Sequence, residues 1–286
     1  MLLVESDYVL GIAAFWQGEF TSAREHFESA VARYRPDQRR EHLIHFGLDP
    51  KVVCQSRLGN TLWFLGYPEA AVRARQAALA LAEEIGHPFS LGTALAFAAV
   101  LALDMREADG VRTFAALLAD EQAKHGMRPN DVATEHFGGY IDVLDGQAST
   151  GIARIQRVLD ESRQGDHAPG MRAFTVRVLL EACAVAGDAR TGLATADWAL
   201  ALPDAHRIWE SETRRLRAEF LAALGAPPSD VEAELGLALT VARQQEAKSL
   251  ELRAATSLLR HRLARGDRSG ITQTREMLAL NRRGVS

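Results

Sequence analysis

The sequence predicts an all-α fold: a right-handed α-α superhelix of about seven stacked helical hairpins, making one domain over residues 1–286. Three observations lead there. Alanine and leucine dominate the apolar residues while β-branched and aromatic residues are sparse, a balance that favours helix over strand. Small residues recur at fixed offsets: Leu10-Gly11, Ala14, Gly18, Ala23, Phe27 and Ala30 in one stretch match Leu58-Gly59, Leu62, Gly66, Ala71 and Ala78 in another. Glycines punctuate the helical patterns where a left-handed C-cap is needed. A hairpin of this kind cannot bury its apolar face alone, so neighbours must stack on it.

Taken in order, the first hairpin covers about 4–34, with its turn at Gly18. The second, 51–86, begins 48 residues after the first, and the excess lies in Arg35–Asp49, which reads as a long loop or a helix extension plus loop. Its second helix, Pro68–Ile85, is almost wholly Ala, Leu, Glu, Arg and Gln, all strong helix formers. The third, 88–126, has Leu91-Gly92 and Leu95 but no Gly at its turn, so its first helix is expected to run on to about Met105. The fourth, 130–163, is capped by Asn130 or Asp131, carries Gly138-Gly139-Tyr140 at close-packing positions, and puts Ile152, Ile155, Val158 and Leu159 on one face. Gln164–Gly170 reads as a mobile connection. Hairpins five (169–203), six (206–245) and seven (247–282) break at Gly187-Asp188, Gly225-Ala226-Pro227-Pro228 and Gly266-Asp267.

Composition excludes several function classes. The net charge of -4, from 33 basic and 37 acidic residues, offers no electrostatic case for nucleic acid or an anionic membrane. Only Lys51, Lys124 and Lys248 are lysines; the other basic residues are arginines. Cys54 and Cys183 sit in apolar helical patterns and are expected to be buried free thiols. Met1-Leu2-Leu3-Val4 is followed at once by Glu5 and Asp7, unlike a signal peptide, and no apolar run is read as reaching the roughly 18 residues of a membrane span. A cytoplasmic location is the resulting expectation.

Catalytic motifs are missing as well. There is no phosphate loop of the G-x-x-x-x-G-K-[ST] form, no G-x-G-x-x-G, G-x-S-x-G, H-E-x-x-H or C-x-x-C. Carboxylates such as Glu83-Glu84 read as solvated helix faces. His42, His45 and Asp49 are the one grouping with ligand-like spacing, and they read more readily as residues packing the segment against the first two hairpins than as a metal site. No enzyme activity, cofactor or metal is expected.

Several runs are similar to known sequences: GEFTSAREHF from Gly18 to Phe27, DPKVVC from Asp49 to Cys54, LGYP from Leu65 to Pro68, GHPFSL from Gly86 to Leu91, AKSLELRAATSL from Ala247 to Leu258 and, more loosely, WESETRRLR from Trp209 to Arg217. Together they resemble the C-terminal tetratricopeptide region of large bacterial signalling proteins. In that family an adenylate/guanylate cyclase, winged-helix or kinase domain is followed by an AAA-type ATPase module and then a helical superhelix. The resemblance covers nearly the whole chain in order, and implies a sensor or scaffold arm whose catalytic partners lie in other domains.

In such a stack the first helix of each unit lines a concave groove suited to a peptide or helix. The repeat offsets place Val53, Ser56, Asn60 and Trp63 on that wall in the second unit, and Glu212, Arg215, Glu219 and Ala222 in the sixth. Asn60 stands where chaperone-tail-binding repeats grip a carboxylate, but Ser56 replaces the accompanying Lys, which argues against such a clamp. Two further expectations stand beside a protein or peptide partner. One is a small ligand held inside the superhelix that regulates an attached module. The other is self-association through an apolar end of the stack, where Ser269–Asn281 carries Ile271, Met277, Leu278 and Leu280.

Overall fold

A computed structural model describes residues 2–126, 132–164, 169–202, 207–267 and 272. Among the described residues the chain is all-helical, with fourteen α-helices and no strand. The first hairpin is α1 (Leu2–Gln17) and α2 (Phe20–Arg33). The segment 35–49 is neither a plain loop nor an extension of α2: it holds a 3-10 turn at Pro36–Gln38 and a separate short helix, α3 (Arg39–Phe46), stopped by Gly47 at φ 69°. Then follow α4 (Pro50–Phe64) with α5 (Pro68–Ile85), α6 (Pro88–Met105) with α7 (Ala108–Lys124), and α8 (Val132–Leu144) with α9 (Ala148–Gln164). The chain continues with α10 (Pro169–Ala186) and α11 (Ala189–Leu200), a 3-10 turn at Arg207–Trp209, α12 (Glu210–Ala223), α13 (Pro228–Gln244) and α14 (Lys248–Arg265). The expected partner of α14 over Ser269–Asn281, apart from Thr272, the caps at Asn130 and Asp131 and most of the connection at Gln164–Gly170 lie outside the described residues.

Local chemistry explains the boundaries. Asp49 caps α4 by accepting from the Val52 N–H at 3.1 Å, and Asp188 caps α11 by accepting from the Thr191 N–H at 3.1 Å. Gly18, Gly66, Gly146, Gly187 and Gly225 supply the positive φ within hairpins, and Gly266 supplies it at the end of α14. In the third hairpin, where no Gly was available, Arg106 takes that conformation at φ 60°. From Gly66 onward these turn residues recur every 38 to 41 residues, longer than the roughly 34 of a tetratricopeptide unit. The helices accordingly run about three residues longer each.

Each hairpin's two helices pack on each other, and successive hairpins meet through α2 with α4, α4 with α6, α7 with α8, α8 with α10, α11 with α12 and α13 with α14. Close approach depends on small residues. A Cβ on Gly11 would lie 2.6 Å from the Phe27 ring, and one on Gly151 would lie 2.2 Å from the carbonyl oxygen of Gly139 across the α8–α9 interface. Elements far apart in sequence also meet: α1 touches the 3-10 turn Arg207–Trp209, and α14 touches α4. A single large core cluster runs from Val4 to Leu250, with a second between α12, α13 and α14.

Helix α6 corrects one expectation. At 18 residues and a mean hydropathy of 1.6 it is long and apolar enough to cross a membrane by length and composition. It packs against α4, α5 and α7, and 67% of it is buried within the chain, which accounts for its apolar character here.

Candidate functional site

The inward faces of the first helices converge on an aromatic hub. Trp16 of α1 lies 6.2 Å from Phe174 of α10 and 6.3 Å from Trp209, all edge to face. Phe174 in turn lies 5.3 Å from Trp209 and 5.7 Å from Phe97 of α6. Phe15 joins the hub to Phe20, Phe27 and Phe64. Such rings bury large areas and hold preferred edge-to-face geometry. The hub therefore ties the first hairpin to the sixth.

Beside the hub lies a buried ionic network drawn from α6, α10, α12 and α14. Arg177 donates from Nε to Asp104 at 3.1 Å and from Nη1 to Glu181 at 2.9 Å, with all three side chains nearly inaccessible. Trp209 Nε1 donates to the other Asp104 oxygen at 3.2 Å. Arg215 forks onto Glu212 at 2.8 and 2.9 Å and reaches Glu219 at 2.6 Å. Arg253 of α14 joins the two halves, donating to Glu212 at 3.0 Å and to the Asp104 carbonyl while its guanidinium lies 4.9 Å from the Trp63 ring. Burial raises Asp104 above its ordinary carboxylate value, against the pull of Arg177 and Arg253. Burial also opposes the charge on Glu212, but Arg215 and Arg253 hold it well below the carboxylate range.

This geometry decides where the predicted wall residues stand. Val53, Ser56, Asn60, Trp63, Glu212 and Arg215 are buried, whereas Ala222 is exposed and Glu219 keeps a side chain 42% exposed. In this conformation they meet their own chain instead of an open groove. Ser56 donates to the Val52 carbonyl at 2.8 Å. The Asn60 amide, oriented to satisfy both ends, bridges the Ser56 carbonyl and the Leu101 N–H. The physical reason is closure: α14 lies on α4, Ser249 donates to the Trp63 carbonyl, and Arg253 fills the space between Trp63 and Glu212. The two wall segments, from the second and sixth units, are thus brought together through a residue that sequence reasoning did not single out. Asp104, Arg177 and Arg253 were missed too, although a charge inside the apolar runs AVLALD and FTVRVLL was the available signal.

His42 and Asp49 serve separate structural roles. His42 Nδ1 lies 2.5 Å from Glu5, and its ring stacks on Tyr34. Asp49 accepts from the Tyr34 hydroxyl at 2.5 Å as well as capping α4. His45 is exposed. Among the described residues no group of three or more His, Cys, Asp or Glu is arranged to hold a metal ion. Cys54 and Cys183 are buried free thiols, and burial pushes Cys183 up to about 12.

A cleft of about 560 Å³ opens between the α1–α2 turn and the end of α13. It is lined by the α1–α2 turn (Gly18, Thr21), by Arg207 and by Gln245 and Glu246. Thr21 donates to Glu246 at 2.5 Å, and Gln245 Nε2 donates to the Arg207 carbonyl at 2.7 Å.

No family model matches the chain. It is similar to an uncharacterized protein of Rhizobium meliloti (strain 1021), 24% identical over 246 residues, which cover 84% of this chain and 24% of that protein. The chain thus spans about a quarter of the length of the curated relative it matches, which is roughly 1,000 residues long since 246 residues are 24% of it.

Proposed function

We propose that the chain is a non-catalytic interaction or sensor arm of a bacterial signalling system, built as a right-handed tetratricopeptide-like superhelix with lengthened helices, and that it takes a protein partner. Two findings support the reading: consecutive hairpins stack helix on helix, and the alignment falls on one part of a much longer relative. The observation that carries the partner is the outward face of α1. Leu2, Leu3, Val9 and Leu10 are 77%, 66%, 59% and 51% exposed, and recur at the i, i+1, i+7, i+8 spacing by which one helix lies in another's groove. Since the interior wall is filled, this outer face, not Ser56, Asn60, Trp63, Glu212, Arg215 or Glu219, is where the proposal seats the partner. No nucleic acid or membrane contact is proposed.

The test compares wild type with Leu3→Glu/Leu10→Glu in cross-linked capture from the native host, beside light scattering at several concentrations. A stoichiometric partner or self-associated species that is lost in the variant, with melting unchanged, supports the reading. Identical capture and mass for both proteins would refute the α1 face. A second reading, regulation by a small ligand held inside the stack, is favoured by one observation, the unpaired guanidinium of Arg57.

A further inference from the structure

Arg57 lies on the inner side of α4 in an unusual setting. Its guanidinium sits 4.2 Å from the Phe97 ring centroid, 5.2 Å from Trp16 and 5.3 Å from Phe15. Nε and Nη1 are buried and meet no acceptor. The nearest ionisable neighbours acting on it are the weak acids Tyr8 and Cys54, and among the described residues no carboxylate pairs with it. The arginines of the ionic network, Arg177, Arg215 and Arg253, each have a carboxylate within 3.1 Å. Burial pushes Arg57 down to about 10, so it is still cationic at neutral pH. Ring faces recover part of the cost of a desolvated cation. They do not supply the hydrogen-bond acceptors that a guanidinium's fixed fork requires. The residue as a whole keeps partial solvent exposure.

We infer that Arg57 and the rings of Phe15, Trp16 and Phe97 form a binding site for a small organic carboxylate with a planar apolar body, the carboxylate pairing with the guanidinium and the body lying against the aromatic hub. The inference rests on the ligand-sensing reading and does not use the outward face of α1. The hub is the place where α1, α4, α6, α10 and the turn before α12 meet. A ligand there would strengthen the contact between the first and sixth hairpins, which gives it a route to regulate an attached module.

The experiment uses benzoate as probe, with acetate, benzamide and inorganic phosphate as arms, at constant ionic strength. The readouts are thermal melting and tryptophan fluorescence, since Trp16 sits against Arg57. Benzoate at ten times its half-saturating concentration is expected to raise the Tm by roughly 2 °C and to change the fluorescence saturably. Acetate should do so only weakly, and benzamide and phosphate not at all. Arg57→Met, which keeps the volume, should lose the benzoate response. If that variant does not fold, Trp16→Phe, which keeps the site's apolar wall, should diminish the fluorescence change, with Trp209 still reporting, while retaining the melting shift. No benzoate response in wild type, an equal response to phosphate or benzamide, or a response retained in Arg57→Met would overturn the site. Because α1 capture is scored separately, failure here and failure of the partner reading are distinguishable.

Discussion

His136 offers a prediction whose size follows from its surroundings. It sits on α8 with no accessible surface, its Nε2 sharing a 2.7 Å hydrogen bond with Thr175 Oγ1, and its Nδ1 meets no partner among the described residues. Burial lowers it from 6.5 to about 3, with Glu135 opposing only in part. Below pH 6.5 the unfolded chain therefore binds a proton at this histidine that the folded chain refuses. Stability is present above that pH and is lost as pH falls toward 3, at a limiting slope of about 1.4 kcal/mol per pH unit. Between pH 7 and pH 5 this one group should cost about 2 kcal/mol, or roughly 3 °C of Tm for a chain of this size. The perturbation is His136→Leu with Thr175→Val, which removes the titrating group and its hydroxyl partner together. Urea unfolding followed by far-UV circular dichroism at pH 7 and pH 5 measures the difference. Wild type should lose about 2 kcal/mol more than the double variant over that interval. Equal losses would show that His136 is not held neutral in the fold, and the burial argument would fall.

Four shorter predictions follow from packing and charge. Arg177→Met should destabilise by about 3–5 kcal/mol in urea, because Asp104 and Glu181 are left buried with their main cation removed; a loss below about 1 kcal/mol would place water in the network. Gly151→Ala should lower the Tm measurably, since its Cβ would sit 2.2 Å from the Gly139 carbonyl oxygen, whereas Gly236→Ala, with open space around it, should raise stability by about 0.5–1 kcal/mol. Asp49→Ala should cost about 1–2 kcal/mol by removing the α4 cap, and near-ultraviolet circular dichroism should report the freed Tyr34 hydroxyl. Finally, Leu3→Glu/Leu10→Glu should leave urea stability within about 0.5 kcal/mol of wild type, because both side chains are exposed.

Much of the helical order was legible because glycine and proline mark it. Pro50, Pro68 and Pro88 open helices, and Gly18, Gly66, Gly187 and Gly266 close them. Where the marker was absent, at Arg106, the helix still ended within a residue of the expected place, since Asp104 and the following Glu107 broke the apolar run. The separate helix α3 was not legible: its eight residues carry only three apolar side chains, too few for a periodic signal. The apolar span of α6 was not legible as one run, because Ser90 and Thr93 interrupt it without making it polar on average.

The buried network was legible only in part: Glu212 and Arg215 were singled out, whereas Asp104, Arg177 and Arg253 were not. Repeat offsets placed Trp63 and Glu212 on the inner faces of their helices. They carried no information on how far apart those faces lie. That distance is set by contacts between residues such as Trp16 and Trp209, nearly two hundred positions apart, and by Arg253, which looks like one more arginine on a polar helix. Pairing over such separations leaves no local pattern to read.

The contact of the first two hairpins with elements near α12 and α14 changes how this protein should come apart. A linear array of hairpins behaves as a one-dimensional chain of units, and its terminal units fray first. Here Gly18 packs against Gln245, Trp16 against Trp209, and Ser249 binds the Trp63 carbonyl. The first hairpin therefore has neighbours on both sides. Its amides in α1 and α2 should exchange with solvent as slowly as those of α6, and the transition should be cooperative across the stack instead of unzipping from an end.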